Sequence, residues 1–306
     1  MEGNYEVKVK TATKDEEIKG SPLRFVVNKS QSFSRDYNQV HQPILSFGTS
    51  GSGEGQFNQP YGIATNSKQE IIVCESTNNR IQVFNDQGQF IRKFGTNGNG
   101  NGQFNYPWDV VVDKRNDQIV VAEHGNHRIQ VFDSAGNFIH SFGSSGNGDG
   151  QLSNPRAVVV DSTGNYYVAD HGNHRIQVFD CNGQFIRKFG TVGNGNGQLN
   201  RPCGIGILSN GNVVVCENGN ARLSIFDQQG NFIKMIGAGQ FSNPWHLFVD
   251  SDDNILIANK TSEIKIFQSS TGTLLKTIPC PGAVGVTMDQ SGRILSCGTS
   301  HTASVF

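Results

Sequence analysis

A unit of about 47 residues repeats along this chain, and that repetition limits the possible folds more than any other feature. Three copies are plain: NNRIQVFNDQGQFIRKFG from Asn78, NHRIQVFDSAGNFIHSFG from Asn126 and NHRIQVFDCNGQFIRKFG from Asn173. A fourth, NARLSIFDQQGNFIKMIG from Asn220, is weaker, and two degenerate copies end on Phe267 and Phe306. The landmark residues Phe84, Phe132, Phe179 and Phe226 stand 48, 47 and 47 positions apart. Within the second unit, Trp108–Val112 is apolar and β-branched, and Ile119–Ala122 is a second apolar run. Ile129–Phe132 and Phe138–Phe142 alternate, and turn residues fill the gaps between the runs. That predicts four short strands, a to d, per unit. A lone sheet of that size cannot bury both faces, whereas copies stacked radially bury them in a propeller.

The ends of the strands give the blade count. Strand c ends six times, on Phe84, Phe132, Phe179, Phe226, Phe267 and Phe306. Strand d follows only five times, on Phe94, Phe142, Phe189, Ile236 and Ile278. The missing strand has its match near the other end, in Ile44-Leu45-Ser46-Phe47-Gly48, where Phe47 precedes Phe94 by 47. The expectation is an all-β, six-bladed propeller over residues 44–306, closed by Ile44–Gly48 as the outer strand of the last blade. Such a clasp removes open sheet edges.

Composition narrows the function. Apolar residues make up 35% of the 306 and 37 are glycine, which suits short strands and tight turns. The net charge of -1 excludes bulk-basic nucleic-acid binding, so any anion-binding surface has to be local. No run approaches about 18 apolar residues, so no membrane span is expected. The opening MEGNYEVKVK lacks an apolar signal core, so secretion is not expected either. The six cysteines form no C-x-x-C pair, and Cys74 and Cys216 share the repeat position of Ala122 and Ala169. They read as small core residues rather than ligands, and free thiols suit a reducing, cytoplasmic setting.

In a meander the a–b and c–d turns share one rim, and the d–a and b–c loops share the other. The first rim carries plain turns such as Asp86-Gln87-Gly88 and Asn182-Gly183. The second presents Gln59-Pro60-Tyr61, Tyr106-Pro107-Trp108, Asn154-Pro155-Arg156, Arg201-Pro202-Cys203 and Asn243-Pro244-Trp245-His246, beside loops holding His124 and His171. Aromatic and guanidinium planes stack bases, and Asn, His and Arg meet base edges and phosphate. The candidate RNA-binding residues are Tyr61, Tyr106, Trp108, His124, Arg156, His171, Arg201, Trp245 and His246. Trp108 and Trp245 also begin strand a, where packing between blades accounts for them equally well. Arg80, Arg128, Arg175 and Arg222 each follow an acid that ends strand b: Glu75, Glu123, Asp170 and Glu217. Where the acid becomes Asn259 the arginine becomes Glu263, so these read as structural ion pairs.

The pattern P-x-G/D-V-x-V-D…I-x-V-A-D/E-x-x-N-H-R-I-Q-V-F resembles the NHL repeat, over about residues 44–306. The segment IKGSPLRFVV resembles the last strands of a filamin-type immunoglobulin repeat, which makes residues 1–28 a remnant of that repeat in a fragment of a longer protein. Residues 29–43 read as a polar linker dispensable to the ring. Filamin followed by NHL is similar to the tail of tripartite-motif NHL proteins of the brain-tumour type, in which RING and B-box zinc domains come first. That resemblance implies a six-bladed propeller whose second rim binds single-stranded or hairpin RNA for post-transcriptional regulation. Tyr106 and Arg156 match RNA-contacting positions, and Arg201 stands at a contact position held by an aromatic residue in the brain-tumour type. A second function stays open, a protein-interaction propeller that recruits substrates to a ubiquitin ligase. A third, remote one is an amidating lyase built on NHL-like repeats. No zinc-ligand spacing occurs, so no ligase chemistry, metal or other cofactor is expected in this chain, and catalysis is not expected here.

Overall fold

The computed structural model describes residues 35–260 and 262–306. Six four-stranded antiparallel sheets follow one another around a central channel. Blade 1 comprises Pro60–Thr65, Ile71–Glu75, Arg80–Phe84 and Phe90–Phe94. Blade 2 comprises Pro107–Asp113, Gln118–Glu123, Arg128–Phe132 and Phe138–Phe142. Blade 3 comprises Ala157–Val160, Tyr166–Asp170, Arg175–Phe179 and Phe185–Phe189. Blade 4 comprises Pro202–Ile207, Val213–Glu217, Arg222–Phe226 and Phe232–Ile236. Blade 5 comprises Pro244–Val249, Asn254–Asn259, Glu263–Gln268 and Leu274–Pro279. Blade 6 takes Ala283–Met288, Ile294–Gly298 and Ala303–Val305 from the C-terminal end, and Leu45–Phe47 as its outer strand.

The closure pairs Leu45 with Val305, Ser46 with Ser304 and Phe47 with Ala303. Side-chain packing repeats the same logic. In blades 2 to 4 the buried strand-c phenylalanine meets the last strand-d phenylalanine of the preceding blade, with ring centroids 5.1 Å apart for Phe94–Phe132, 4.8 Å for Phe142–Phe179 and 5.0 Å for Phe189–Phe226. Phe47 lies 5.0 Å from Phe84 and so fills that role for blade 1. Burying such a ring contributes about 1.5–3 kcal/mol, and a tilted pair adds about 0.5–1.5 kcal/mol.

The expected acid–arginine pairs form in blades 1 to 4: Arg80–Glu75 at 2.5 Å, Arg128–Glu123 at 2.6 Å, Arg175–Asp170 at 2.8 Å and Arg222–Glu217 at 2.8 Å. Each guanidinium also donates to carbonyls of the glycine-rich d–a loop; Arg175 reaches the oxygens of Asn147, Gly148 and Gln151. These four cations are consumed by the scaffold. In blade 5 Asn259 donates to Glu263 at 3.2 Å instead.

The chain departs from expectation just before the ring. The strands expected within residues 1–28 fall outside the described residues, as does the first part of the expected linker. Its second part, from Arg35, is not a free linker but belongs to the propeller's compact unit. Asp36 caps a short 3-10 turn, Tyr37–Gln39, by accepting from the Asn38 amide. Tyr37 is 4% exposed, packs among Leu256, Ile266, Val286 and Phe306 where blades 5 and 6 meet, and donates its hydroxyl to Asp250. The Arg35 amide donates to Asp252 at 2.9 Å. One aromatic residue in a polar stretch is enough to turn that stretch into a strap.

Candidate functional site

Each inner strand except that of blade 3 opens with a one-residue bulge. The pairing jumps from Pro60 to Gly62, Pro107 to Asp109, Pro202 to Gly204, Pro244 to His246 and Ala283 to Gly285. A bulge releases one residue from the ladder and re-aims its side chain. The released residues are Tyr61, Trp108, Cys203, Trp245 and Val284, and Arg156 precedes the blade 3 strand at the same repeat position. Two further rings surround them. The first residues of the b–c loops are Ser76, His124, His171, Asn218, Lys260 and Thr299. The residues one before the bulged strand are Gln59, Tyr106, Asn154, Arg201, Asn243 and Gly282.

The backbone of that last ring is specified by the repeat. Gln59, Tyr106, Asn154 and Arg201 all have φ between 49 and 52°. A non-glycine residue held there costs about 1–3 kcal/mol unless its surroundings impose it. The preceding blade's b–c loop imposes it: Asn79 Oδ1 accepts the Tyr106 amide at 2.8 Å, His127 Nδ1 the Asn154 amide at 3.0 Å, and His174 Nδ1 the Arg201 amide at 3.2 Å. With the backbone held constant, the side chain is the variable. Tyr106 is 51% exposed and Arg201 is exposed.

At the channel mouth, Trp108 and Trp245 stack face to face with centroids 5.5 Å apart and planes at 13°. They come from blades 2 and 5, which stand opposite each other in a six-membered ring. Tyr61 packs against both, at 4.6 and 5.7 Å, and is buried. His124 stacks on Trp108 at 4.9 Å. The Arg156 guanidinium lies 4.7 Å from the Trp108 ring and 5.1 Å from the Trp245 ring. Lys260 Nζ sits 4.1 Å from the Trp245 ring. Such contacts contribute about 0.5–2 kcal/mol each.

No carboxylate pairs with Arg156 among the described residues, and its Nε has no hydrogen-bond partner. None of the residues in the three rings is acidic. Burial, then the Arg156 charge, pushes His124 down to about 4 and His171 down to about 3, so both imidazoles are neutral near pH 7. Burial and then repulsion between neighbouring cations also lower Arg156 and Lys260. The His171 Nε2 atom is buried without a partner. The mouth is thus an aromatic plate carrying cations that lack counter-charges.

The structure gathers Tyr61, Trp108, His124, Arg156 and Trp245 into one cluster, with His171 beside it. Tyr106 and Arg201 stand on the rim around it, and His246 lies beneath the plate, facing Asp109 at 3.2 Å. Sequence reasoning passed over Lys260, although it follows Asn259 as His124 follows Glu123. It also passed over Asp109, and over the rim of plain a–b turns. Those turns frame the open end of a 590 Å³ cavity in the channel, walled by residues such as Val111, Val159, Ile207, Phe248 and Met288.

The sequence matches the NHL repeat over residues 57–84, 104–132 and 152–179, each from the loop before strand a to the end of strand c. E3 ubiquitin-protein ligase TRIM71 of Rattus norvegicus is 38% identical over 90 residues, which is 29% of this chain and 10% of that protein. Protein lin-41 of Caenorhabditis elegans is 33% identical over 90 residues, 29% of this chain and 8% of that protein. Protein brain tumor of Drosophila melanogaster is 48% identical over 44 residues, 14% of this chain and 4% of that protein. The matched stretch therefore spans a tenth or less of these relatives. Among solved structures, a gluconolactonase of Xanthomonas campestris superposes with a TM-score of 0.66 at 16% identity, covering 83% of this chain and 88% of its own. A streptogramin B lyase gives 0.63 at 13% identity, covering 85% and 96%. At such identities these two show the propeller fold alone.

Proposed function

From the premise that this chain carries NHL repeats on a six-bladed propeller, and shares its repeat region with TRIM71, lin-41 and brain tumor, we propose that the channel-mouth rim binds single-stranded or hairpin RNA. The observation that carries this reading is Arg156, a largely buried guanidinium resting on two stacked indoles with no carboxylate beside it. Arg156, Lys260 and Arg201 meet phosphates, and Tyr106 offers its exposed face to a base. His124 and His171, held neutral, offer ring nitrogens to base edges. Trp108 and Trp245, at 5.5 Å, are too close to admit a base between them and act as the plate beneath the cations. Tyr61 supports the plate from below.

In this reading the chain acts as the RNA-recognition part of a post-transcriptional regulator in the cytoplasm. The unpaired state of all six cysteines, even with Cys203 and Cys216 Sγ atoms 3.6 Å apart, supports a reducing setting. No helix among the described residues is long and apolar enough to cross a membrane. A second reading, a propeller that recruits protein substrates for ubiquitination, draws on the ligase name of the TRIM71 relatives.

Selection from a random RNA pool separates them. An enriched motif whose affinity falls at least about tenfold in Tyr106→Ala, Arg156→Ala and Arg201→Glu supports RNA, because one stacked base contributes about 1–3 kcal/mol. No enrichment, or enrichment indifferent to all three changes, overturns it and leaves the protein-recruiting reading.

A further inference from the structure

The residue after the bulge forms a fourth ring, lying deeper in the channel: Gly62, Asp109, Ala157, Gly204, His246 and Gly285. Small side chains are a steric requirement in three of these blades. A Cβ on Gly285 would run into the Tyr61 carbonyl oxygen. A Cβ on Gly62 would lie 2.6 Å from the Val110 nitrogen, and one on Gly204 would lie 2.9 Å from the Leu247 nitrogen. Blades 2 and 5, whose backbones press on Gly62 and Gly204, carry the two large polar residues of the ring.

Asp109 and His246 reach toward each other from opposite sides of the channel, with His246 Nε2 at 3.2 Å from Asp109 Oδ1. Their other contacts assign the proton. The Val286 amide donates to His246 Nδ1 at 3.4 Å, so Nδ1 accepts and Nε2–H is the donor. Asp109 is 1% exposed and also accepts from the Val110 amide at 2.8 Å and the Val158 amide at 3.1 Å. Three hydrogen bonds centred on this pair therefore tie the inner strands of blades 2, 3, 5 and 6 together. The residues immediately before this pair in the chain are Trp108 and Trp245.

We propose that the Asp109–His246 bond is the positioning element of the RNA site: it holds the two indoles stacked, and through them sets Arg156, without either side chain touching the ligand. His246 lines the cavity on the far side of the plate, which is why it does not reach the mouth. The role depends on the RNA reading for its effect on affinity, but its effect on the tryptophans does not. Trp245 Nε1 also donates to Asn243 Oδ1 at 2.8 Å within its own blade, and Tyr61 and Arg156 pack against both rings from blades 1 and 3. The Asp109–His246 bond crosses the axis.

The test exploits the composition, because Trp108 and Trp245 are the two tryptophans of the chain. Stacked indoles couple their transitions, so circular dichroism shows a paired positive and negative band from this site alone. His246→Ala is expected to weaken that couplet and lower RNA affinity about tenfold, the worth of roughly one stacking contact. His246→Gln, whose amide nitrogen can donate to Asp109, is expected to keep both.

His246→Ala leaves a buried carboxylate short of a partner and is the variant at risk of misfolding. Asp109→Ala together with His246→Ala removes both groups and copies the small residue that blade 3 already has at this position. The double variant is expected to fold, to lose the couplet and to bind RNA about tenfold more weakly. An intact couplet in a folded double variant overturns the positioning role, whatever the RNA result. A lost couplet with unchanged RNA affinity overturns the link to the ligand. If the unaltered protein selects no RNA, the proposed function fails, and the couplet still decides whether this bond positions the plate.

Discussion

His124 and His171 show what the unpaired cations do to their neighbours. Both imidazoles are half-buried near the Arg156 guanidinium, and their protonation is driven down from 6.5 to about 4 and about 3. In the unfolded chain both take up protons near pH 6.5, so between that value and about 4 the unfolded state binds more protons than the folded one. Stability from this source is therefore complete above pH 6.5 and is lost as pH falls toward 4. The thermal midpoint of the protein is expected to fall over that window more steeply than that of a His124→Gln, His171→Gln variant; parallel profiles would mean that these two imidazoles do not set the acid limb. RNA binding is not linked to them near neutrality: both stay neutral in the folded protein and meet base edges, so affinity is expected to be flat from pH 7 to 5, and a rise on acidification would mean that they meet phosphates instead. How far such residues are legible in sequence depends on whether their role repeats. The structural role of Arg80, Arg128, Arg175 and Arg222 is readable because blade 5 loses acid and arginine together. Trp108 and Trp245 read equally well as interblade packing or as display, because their contact joins positions 137 apart on opposite blades and the repeat says nothing about it.

Among the elements, the b–c loop latch has the clearest energetic consequence. Asp170 is fully buried and receives the Arg175 Nε, the Asn173 and Gln177 amides and the Ser153 backbone N–H. Arg175 in turn fastens the glycine-rich loop before blade 3. Removing one partner of such a pair leaves an uncompensated buried charge, which costs about 3–5 kcal/mol. Arg175→Met is expected to lose that much in urea denaturation, and adding Asp170→Asn to recover a good part of it. An additive double variant would show that the loop, not the charge, needs the arginine. The strands themselves are legible from the alternation of apolar residues and the turn residues between them. The strap is not. Residues 29–43 are polar apart from Phe33, Tyr37, Val40 and Pro43, and nothing in that composition distinguishes a linker from a segment anchored by one tyrosine. Pocket shape is equally silent in sequence, which is why the plain a–b turns give no sign that the channel opens between them.

At the scale of the whole molecule, charge and closure set how the propeller meets a partner and how it fails. Net charge is -1, yet the mouth gathers Arg156, Arg201 and Lys260 without an acid, while the opposite rim carries Asp113, Asp161, Asp250, Asp252 and Asp289. The molecule is polarised along its axis, so a polyanion is steered to one face. With three unpaired cations meeting phosphates, the logarithm of RNA affinity is expected to fall against the logarithm of salt concentration with a slope of about -2. Arg201→Ala should make that slope shallower by nearly one unit. Closure rests on two devices at the same seam. Leu45–Phe47 supplies the outer strand of blade 6, and Phe47 also fills the interblade position against Phe84. Tyr37 seals the seam between blades 5 and 6 from the side. The two are expected to fail differently. Tyr37→Ala removes a buried ring but no backbone pairing, so it should lower stability by about 3 kcal/mol while the oligomeric state is unchanged and the protein melts in one transition. Replacing Leu45, Ser46 and Phe47 with glycines removes both the pairing and the ring, and leaves Ala303–Val305 as an open edge that a second chain can complete. That variant should melt far lower and elute as dimers or larger species in size-exclusion chromatography. A monomeric, near-normal melt for it, with the larger loss in Tyr37→Ala, would mean that the strap rather than the strand closes the ring.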